Sequence, residues 1–200
     1  MPGRPKTLGP WSGDPASRCL VVATAPGAHK ADPEAEQKPL TGDRAGEAFH
    51  KLLEGASLKR SSFFLTNAVL CTPRTKSGRG RRPRLEEIRN CNRYLSRLVT
   101  YLDPALIVTL GTTALSALSE LAPHDLSLSA DCGRPTRWMA RWLLPLYHPG
   151  PRAMIHRSWA DQQRDYAPRP TPPHTSPPPS HPRRSPAPPP ARPLPSCLHT

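Results

Sequence analysis

Short apolar runs alternate along the chain with longer stretches whose apolar positions recur every three or four residues. Leu20-Val21-Val22-Ala23 is the first run, and it breaks into Ala25-Pro26-Gly27. Phe63 to Leu70, Ala105 to Leu110 and Trp142 to Tyr147 are the others. Runs of this length, bounded by turn formers, read as strands buried on both faces. Between them, Ala45 to Leu53 sets Phe49, Leu52 and Leu53 at helical spacing, with entry near Arg44 and a stop at Gly55. Leu85 to Leu102 predicts the longest helix. Its stripe is Leu85, Ile88, Leu95, Leu98 and Leu102, Glu86 and Glu87 suit its first turn, and Pro104 follows its end. Gly111-Thr112-Thr113 opens another helix through Leu121, and a short one runs from about Ser158 to Tyr166. Ala122 to Arg141 reads as irregular, with room for a short hairpin.

This alternation predicts right-handed crossovers and an α/β fold: a three-layer α/β/α sandwich with a mainly parallel central sheet. The domain spans residues 18–166, behind a flexible arm at 1–17 rich in Pro, Gly and charge. From residue 167 to 200 the composition changes, with 14 of 34 residues Pro, mixed with Ser, Thr, His and Arg. Such a segment cannot bury a core and predicts a disordered basic tail, partly polyproline II.

Charge narrows the partner. With 28 Lys and Arg against 15 Asp and Glu, the net charge is +13, which points to a polyanion and to nucleic acid first. A solvated Arg-rich surface gives the same count, so charge alone leaves both open. Arg74, Lys76, Arg79, Arg81, Arg82 and Arg84 share one loop with Gly78, Gly80 and no acid, a composition suited to phosphates; a solvated charge run is the other reading. No apolar run nears the roughly 20 residues of a membrane span. The first residues lack the apolar core of a signal peptide. The expected location is therefore cytoplasmic and nucleoid-associated, with reduced thiols. Five cysteines, Cys19, Cys71, Cys91, Cys132 and Cys197, form no C-x-x-C pair and argue against a disulfide framework.

Candidate chemistry gathers where strands end. Ala25-Pro26-Gly27, Thr66-Asn67 and His148-Pro149-Gly150 converge on one edge of the sheet, where open α/β sheets bind ligands. Pro39-Leu40-Thr41-Gly42 tightens the chain again before the first helix, and Gly27 and Gly42 suit close approach to a flat or anionic ligand. Asn67 in a buried strand needs a partner or a ligand. Gly111 after its strand falls short of a dinucleotide fingerprint and reads as packing.

VVATAPG with PLTGDRAG, then LTNAVLCTPR, then EIRNCNRYL with ALIVTLGTTAL, then LPLYHPGPRAMIHRSWADQQRDY form an ordered set. In order and approximate spacing this set resembles the uracil-DNA glycosylase superfamily, especially the bacterial and archaeal families 4 and 5, over roughly Leu20 to Tyr166. The resemblance implies that Asn67 pairs with the uracil edge, since a carboxamide offers both donor and acceptor. It implies that Thr24, Ala25, Pro26 and Gly27 wall the base pocket, with Leu40 where many relatives have a stacking Phe, which weakens stacking or widens specificity. His148 would stabilise charge on the departing base as a neutral donor; a turn residue before Pro-Gly is the plainer reading. Arg152 or Met154 would press into the minor groove.

The departures are informative. Relatives often carry a Glu before the Ala-Pro-Gly and acids after it, whereas Thr24 and Ala28-His29-Lys30 stand here. Asp32, Glu34 and Glu36 read as solvated loop acids, so no water-activating carboxylate is assigned. Family 5, though, manages with a largely apolar first motif. Many relatives hold a [4Fe-4S] cluster on four Cys thiolates. Cys71 and Cys91 match the last two ligands, and the upstream pair is missing; either no cluster is held, or the native start lies upstream of Met1.

The resemblance implies a monomeric DNA repair enzyme of base excision repair. It would flip uracil, and related deaminated bases such as hypoxanthine, out of DNA and hydrolyse the N-glycosidic bond. The alternative is a non-catalytic nucleic-acid-binding protein that retains the glycosylase fold, favoured by the missing acids and by Leu40. A nucleotide-binding α/β protein is a third reading, against which the lack of a phosphate-binding Gly motif speaks.

Overall fold

The computed structural model describes residues 9–27 and 39–167. The Pro-rich tail, most of the N-terminal arm, the acids Asp32, Glu34 and Glu36, and Cys197 lie outside the described residues.

Among the described residues five strands form one sheet: β1 (Cys19–Ala23), β2 (Phe64–Asn67), β3 (Leu106–Leu110), β4 (Thr136–Trp138) and β5 (Arg141–Leu146). Their order is β2-β1-β3-β5-β4. The first four in that order run parallel, with Val22 beside Thr66 and Thr109, and Val108 beside Leu144. Only β4 is antiparallel, paired to β5. Helices α1 (Arg44–Gly55) and α5 (Trp159–Tyr166) cover one face; α2 (Leu85–Leu102) and α3 (Thr112–Ser119) cover the other, and the short α4 (Leu128–Asp131) sits beside them. This is the three-layer α/β/α sandwich.

Burial on both faces explains why the central strands are continuously apolar. Leu20, Val22, Ile107 and Leu143 pack under α2 and α3, while Val21, Leu65, Val108 and Leu146 pack under α1 and α5. On the α1 side Phe49 is the anchor, edge-on to Phe63 at 5.9 Å and to Tyr166 at 6.2 Å. Burying such a ring contributes about 1.5–3 kcal/mol.

Four details differ from the pattern. The second strand stops at Asn67 rather than Leu70, although Ala68 and Val69 still donate to Ala23 and Thr24 carbonyls. Leu85 is exposed at the first turn of α2, and Asn92 and Val99 join its buried stripe instead. Helix α1 runs through Gly55, and the left-handed residue after it is Ser57, at φ 55°. α3 ends at Ser119 because Leu121 and Ala122 both turn back to the Leu118 carbonyl.

No helix among the described residues is long and apolar enough to cross a membrane.

Candidate active site

Parallel strands that share a direction place their carboxyl ends on one edge. Asn67 ends β2, Thr24 follows β1, Gly111 follows β3, and His148 stands two residues past β5. Three interstrand steps of about 4.8 Å separate β2 from β5, so Asn67 and His148 flank a gap of about 14 Å at backbone level. Asn67 alternates with Leu65 along β2 and shares its face, the α1 side.

Asn67 is 2 % exposed, and neither its Nδ2 nor its Oδ1 has a hydrogen-bond partner among the described residues. A buried carboxamide left so costs about 1–3 kcal/mol. A ligand edge carrying both an acceptor and a donor would satisfy it.

At the far side, the Gly150 amide donates to His148 Nδ1 at 3.2 Å. That bond makes Nδ1 the acceptor, so the neutral ring carries its proton on Nε2. Burial lowers the His148 pKa below its ordinary value, and the Asp43 carboxylate pulls it partly back up. Glycines hold the ring on two sides. A Cβ at Gly111, which has φ +90°, would lie 3.1 Å from His148 Cβ, and one at Gly150 would lie 3.2 Å from His148 Nδ1.

The roof comes from PLTGDRAG. Asp43 caps α1, its Oδ1 accepting from the Gly46 amide at 2.8 Å. Gly46 is a close-approach position, since a Cβ there would lie 2.6 Å from the Leu40 carbonyl oxygen. Leu40 itself takes φ 52°, rare for a leucine, and its half-buried side chain packs on the α1-side core. The first loop is tied from the opposite wall, with Thr72 Oγ1 donating to the Pro26 carbonyl at 3.3 Å. Thr24, Ala25 and Gly27 are half-buried and Pro26 is buried.

Segments far apart in the sequence thus bring Asn67, Thr24, Gly111 and His148 to one edge of the sheet, with Asp43 acting on His148. A family model described as the uracil DNA glycosylase superfamily matches residues 10–167. The chain belongs to that superfamily. It is 30% identical over 146 residues to the type-4 uracil-DNA glycosylase of Sulfurisphaera tokodaii, an alignment covering 70% of this chain and 63% of that protein. The type-4 enzyme of Thermotoga maritima is 28% identical, over 66% of this chain and 65% of its own. The type-5 uracil-DNA glycosylase of Thermus thermophilus is 34% identical, over 68% and 63%. The chain therefore spans a little under two thirds of the length of these relatives.

Within this glycosylase-superfamily fold the basic loop is a small turn, bridged between Arg74 and Gly80. Its six cations are not equivalent. Arg81 forms a two-pronged ion pair with Glu87, at 2.6 and 2.7 Å, and also donates to the Arg74 carbonyl. Glu87 is held down to about 2 by Arg81 first and the Arg84 amide second. Arg81, taken from the sequence as a free DNA-binding cation, is thus already neutralised; the acid lies just past the stretch that reads as acid-free. Arg74 donates to the Gly78 carbonyl, and Arg82 Nη2 lies 2.5 Å from Thr112 Oγ1. Lys76 and Arg79 are exposed and make no ion pair with a described residue.

After His148 the chain makes a 3-10 turn, Pro151–Ile155. Arg152 is exposed there and Met154 is 43% exposed, its Sδ accepting from Gln162 Nε2 at 3.3 Å. Ile155 is the more prominent apolar group at 81%. Arg157 then anchors the turn to the buried Asp165 through two bonds of 2.9 and 2.7 Å.

The thiols do not assemble a four-thiolate set. Leu70 N donates to Cys91 Sγ at 3.5 Å, which brings Cys91 beside the Cys71 segment. The Cys71 pKa is raised by partial burial first, then by the neighbouring Cys91 and Glu87. Cys19 packs against the α1-side core and its thiol is pushed up to about 12 by burial. Cys132 donates to Asp165 Oδ2 at 3.2 Å. Among the described residues no three His, Cys, Asp or Glu side chains group to hold a metal. Two adjacent thiols do not fit a [4Fe-4S] cluster, which takes four thiolates.

Sequence reasoning named Gly150 only within its strand end and Gly111 as packing, which it is, and gave Asp43 and Ile155 no role. Asp43 carried a signal, an Asp just before a helix start, but that signal says cap and nothing more.

Proposed function

We propose that the protein is a DNA repair glycosylase that removes uracil from DNA by hydrolysing its N-glycosidic bond. The observation that carries this reading is the buried, unpartnered carboxamide of Asn67, facing across the sheet edge to a neutral histidine. A uracil flipped from the strand would satisfy both amide atoms, its O4 accepting from Nδ2 and its N3–H donating to Oδ1. Cytosine, with a donor at position 4 and an acceptor at N3, would pair only with the carboxamide turned over.

As the C1′–N1 bond breaks, its electron pair passes to the base and develops as charge on a carbonyl oxygen of the uracil, while the sugar becomes oxocarbenium-like. His148 Nε2–H donates to that oxygen, with the Gly150 amide keeping the proton off Nδ1. Water adds to C1′ and loses its proton. Asp43 is the carboxylate of the roof that acts electrostatically on His148; it would stabilise the cationic sugar and accept the water's proton. The proton released by the water passes on to the uracil anion through solvent, so free uracil and an abasic site are the products.

Lys76, Arg79, Arg82 and Arg74 would contact phosphates, with Arg152 and Ile155 entering the space the flipped base leaves. Leu40 in place of a ring gives the base an aliphatic contact, consistent with a pocket that also admits hypoxanthine. The test is release of free uracil from single- and double-stranded oligonucleotides by the parent, Asn67→Ala, His148→Ala and Asp43→Asn. Losing the His148 donor should lower kcat about 100- to 1,000-fold. A folded, DNA-binding parent that releases no uracil would overturn the reading in favour of a binding protein.

A further inference from the structure

On the opposite face of the sheet from Asn67 and His148 lies a cleft of about 500 Å³ between α3 and the segment that follows it. That volume is within the range of small-molecule sites. Leu115, Leu126, Leu128 and Tyr147 supply its walls, and Ser116, Ser119 and Ser127 supply hydroxyls. Its shape is fixed by His124, whose Nε2 lies 3.3 Å from the Leu115 carbonyl while Nδ1 accepts from the Leu126 amide.

Two backbone connections join the cleft to the pocket. Tyr147, which lines the cleft, directly precedes His148; Thr112, which also lines it, directly follows Gly111, the residue packed behind His148. The cleft and the site at the sheet edge therefore share two backbone segments. At that mouth, Arg82 Nη2 sits 2.5 Å from Thr112 Oγ1, and His156 adds a second polar side chain. Apolar walls with a hydroxyl rim and a cation at one end match a flat heterocycle bearing an anionic group.

We propose that this cleft binds the base of a nucleotide next to the flipped one on the same DNA strand, with the intervening phosphate held by Arg82 and Thr112. The identity of the flipped base rests on the glycosylase reading; the cleft's preference for a nucleobase does not. A paired and stacked neighbour must leave its stack to enter, so single strands are favoured over duplex.

The experiment uses the full chain and single-stranded oligonucleotides with one 2′-fluoro-deoxyuridine, whose fluorine opposes the oxocarbenium and slows cleavage. Each flanking base in turn is replaced by an abasic spacer. One flanking position should weaken parent binding about tenfold, and the corresponding duplex should bind more weakly than the single strand. Ser116→Trp, which fills the cleft from α3, should bind the intact oligonucleotide about tenfold more weakly and become indifferent to the spacer. Ser116→Trp should also weaken binding to a uracil-free single strand, a result readable even if the parent releases no uracil. A parent indifferent to spacers at every flanking position overturns the proposal, and because that arm needs no variant it holds whether or not Ser116→Trp folds. A folded Ser116→Trp that binds as the parent does overturns it equally.

Discussion

Three glycines separate left-handed backbone strain from close packing against His148. Gly78 has φ +78° and nothing within 4 Å of the place a Cβ would occupy; Gly150 has φ −77°, an ordinary value, but a Cβ there would lie 3.2 Å from His148 Nδ1. Gly111 combines both, with φ +90° and a Cβ position 3.1 Å from His148 Cβ and 3.8 Å from Thr24 Oγ1. Alanine at Gly78 therefore carries left-handed strain alone, about 1–2 kcal/mol, offset in part by the smaller entropy of the unfolded chain. Alanine at Gly150 carries contact alone. Alanine at Gly111 carries strain of about 1–3 kcal/mol and must also push the His148 backbone and ring aside by a few tenths of an ångström.

The expected melting-temperature losses are about 2–4 °C per kcal/mol for a chain of this size, so Gly111→Ala should lose the most and Gly78→Ala little. Turnover should divide the set differently. A misplacement of 1 Å costs roughly 100-fold, so Gly111→Ala and Gly150→Ala should each lower kcat about tenfold, while Gly78→Ala leaves kcat at the parent value. Thermal melts and single-turnover uracil release on the three variants measure this. If Gly111→Ala and Gly78→Ala lose the same stability and Gly111→Ala keeps the parent kcat, the packing of Gly111 against His148 has no catalytic consequence and the reasoning fails.

Other perturbations read neighbouring parts of the site. Because burial lowers the His148 pKa below its ordinary 6.5, the unfolded chain takes up a proton at higher pH than the fold does. That contribution is intact above about pH 6.5 and is lost as pH falls toward the folded value, so melts at descending pH should show the parent losing more stability than His148→Asn. Arg79→Ala should shallow the dependence of log K on log salt for single-stranded DNA by about 0.7, and Arg81→Ala by clearly less, since Glu87 already neutralises it; equal slopes would refute that ranking. Asp165→Asn removes the partner of Arg157 from a site where the Asp165 side chain is 3% exposed; a loss of about 1–3 kcal/mol is expected in chemical denaturation, with weaker DNA binding if the turn that Arg157 anchors loosens.

Legibility followed burial. Strands buried on both faces announce themselves as unbroken apolar runs, so β1, β3 and β5 lie within a residue of where the pattern puts them. Local rules without an apolar signature fared otherwise. The β4–β5 hairpin turns on Met139-Ala140, with Met139 at φ 52°; neither residue is a turn former, so tertiary pairing with β5 selects the turn. α4 is four residues long, too short for any periodicity, and its only signals were the Ser127 cap and the Asp131 carboxylate that accepts from the Ser127 amide. In the site, Asn67 stood out because a polar residue interrupts an apolar run. Asp43 did not, since an acid at a helix start is commonplace, and only the fold brings it to bear on His148. Arg81 looked free because its partner lies six residues on, in the first turn of the next helix.

Asn67 also shows what the pocket withholds from stability. Its amide is buried with neither atom paired, which costs about 1–3 kcal/mol relative to a side chain that needs no partner, and a residue retained at that cost belongs to function rather than to folding. Replacing it with leucine removes both polar atoms and keeps the branching of the side chain, with two methyl groups in their place. Asn67→Leu should therefore melt a few degrees higher than the parent, at about 2–4 °C per kcal/mol, while losing uracil release. His148→Ala, which empties the opposite wall, should lose release without that gain, so the pair distinguishes relief of a buried orphan from general loss of activity. A melting temperature for Asn67→Leu at or below the parent's would mean that the amide is satisfied in solution, and the argument from its orphaned state to a ligand edge would fall with it.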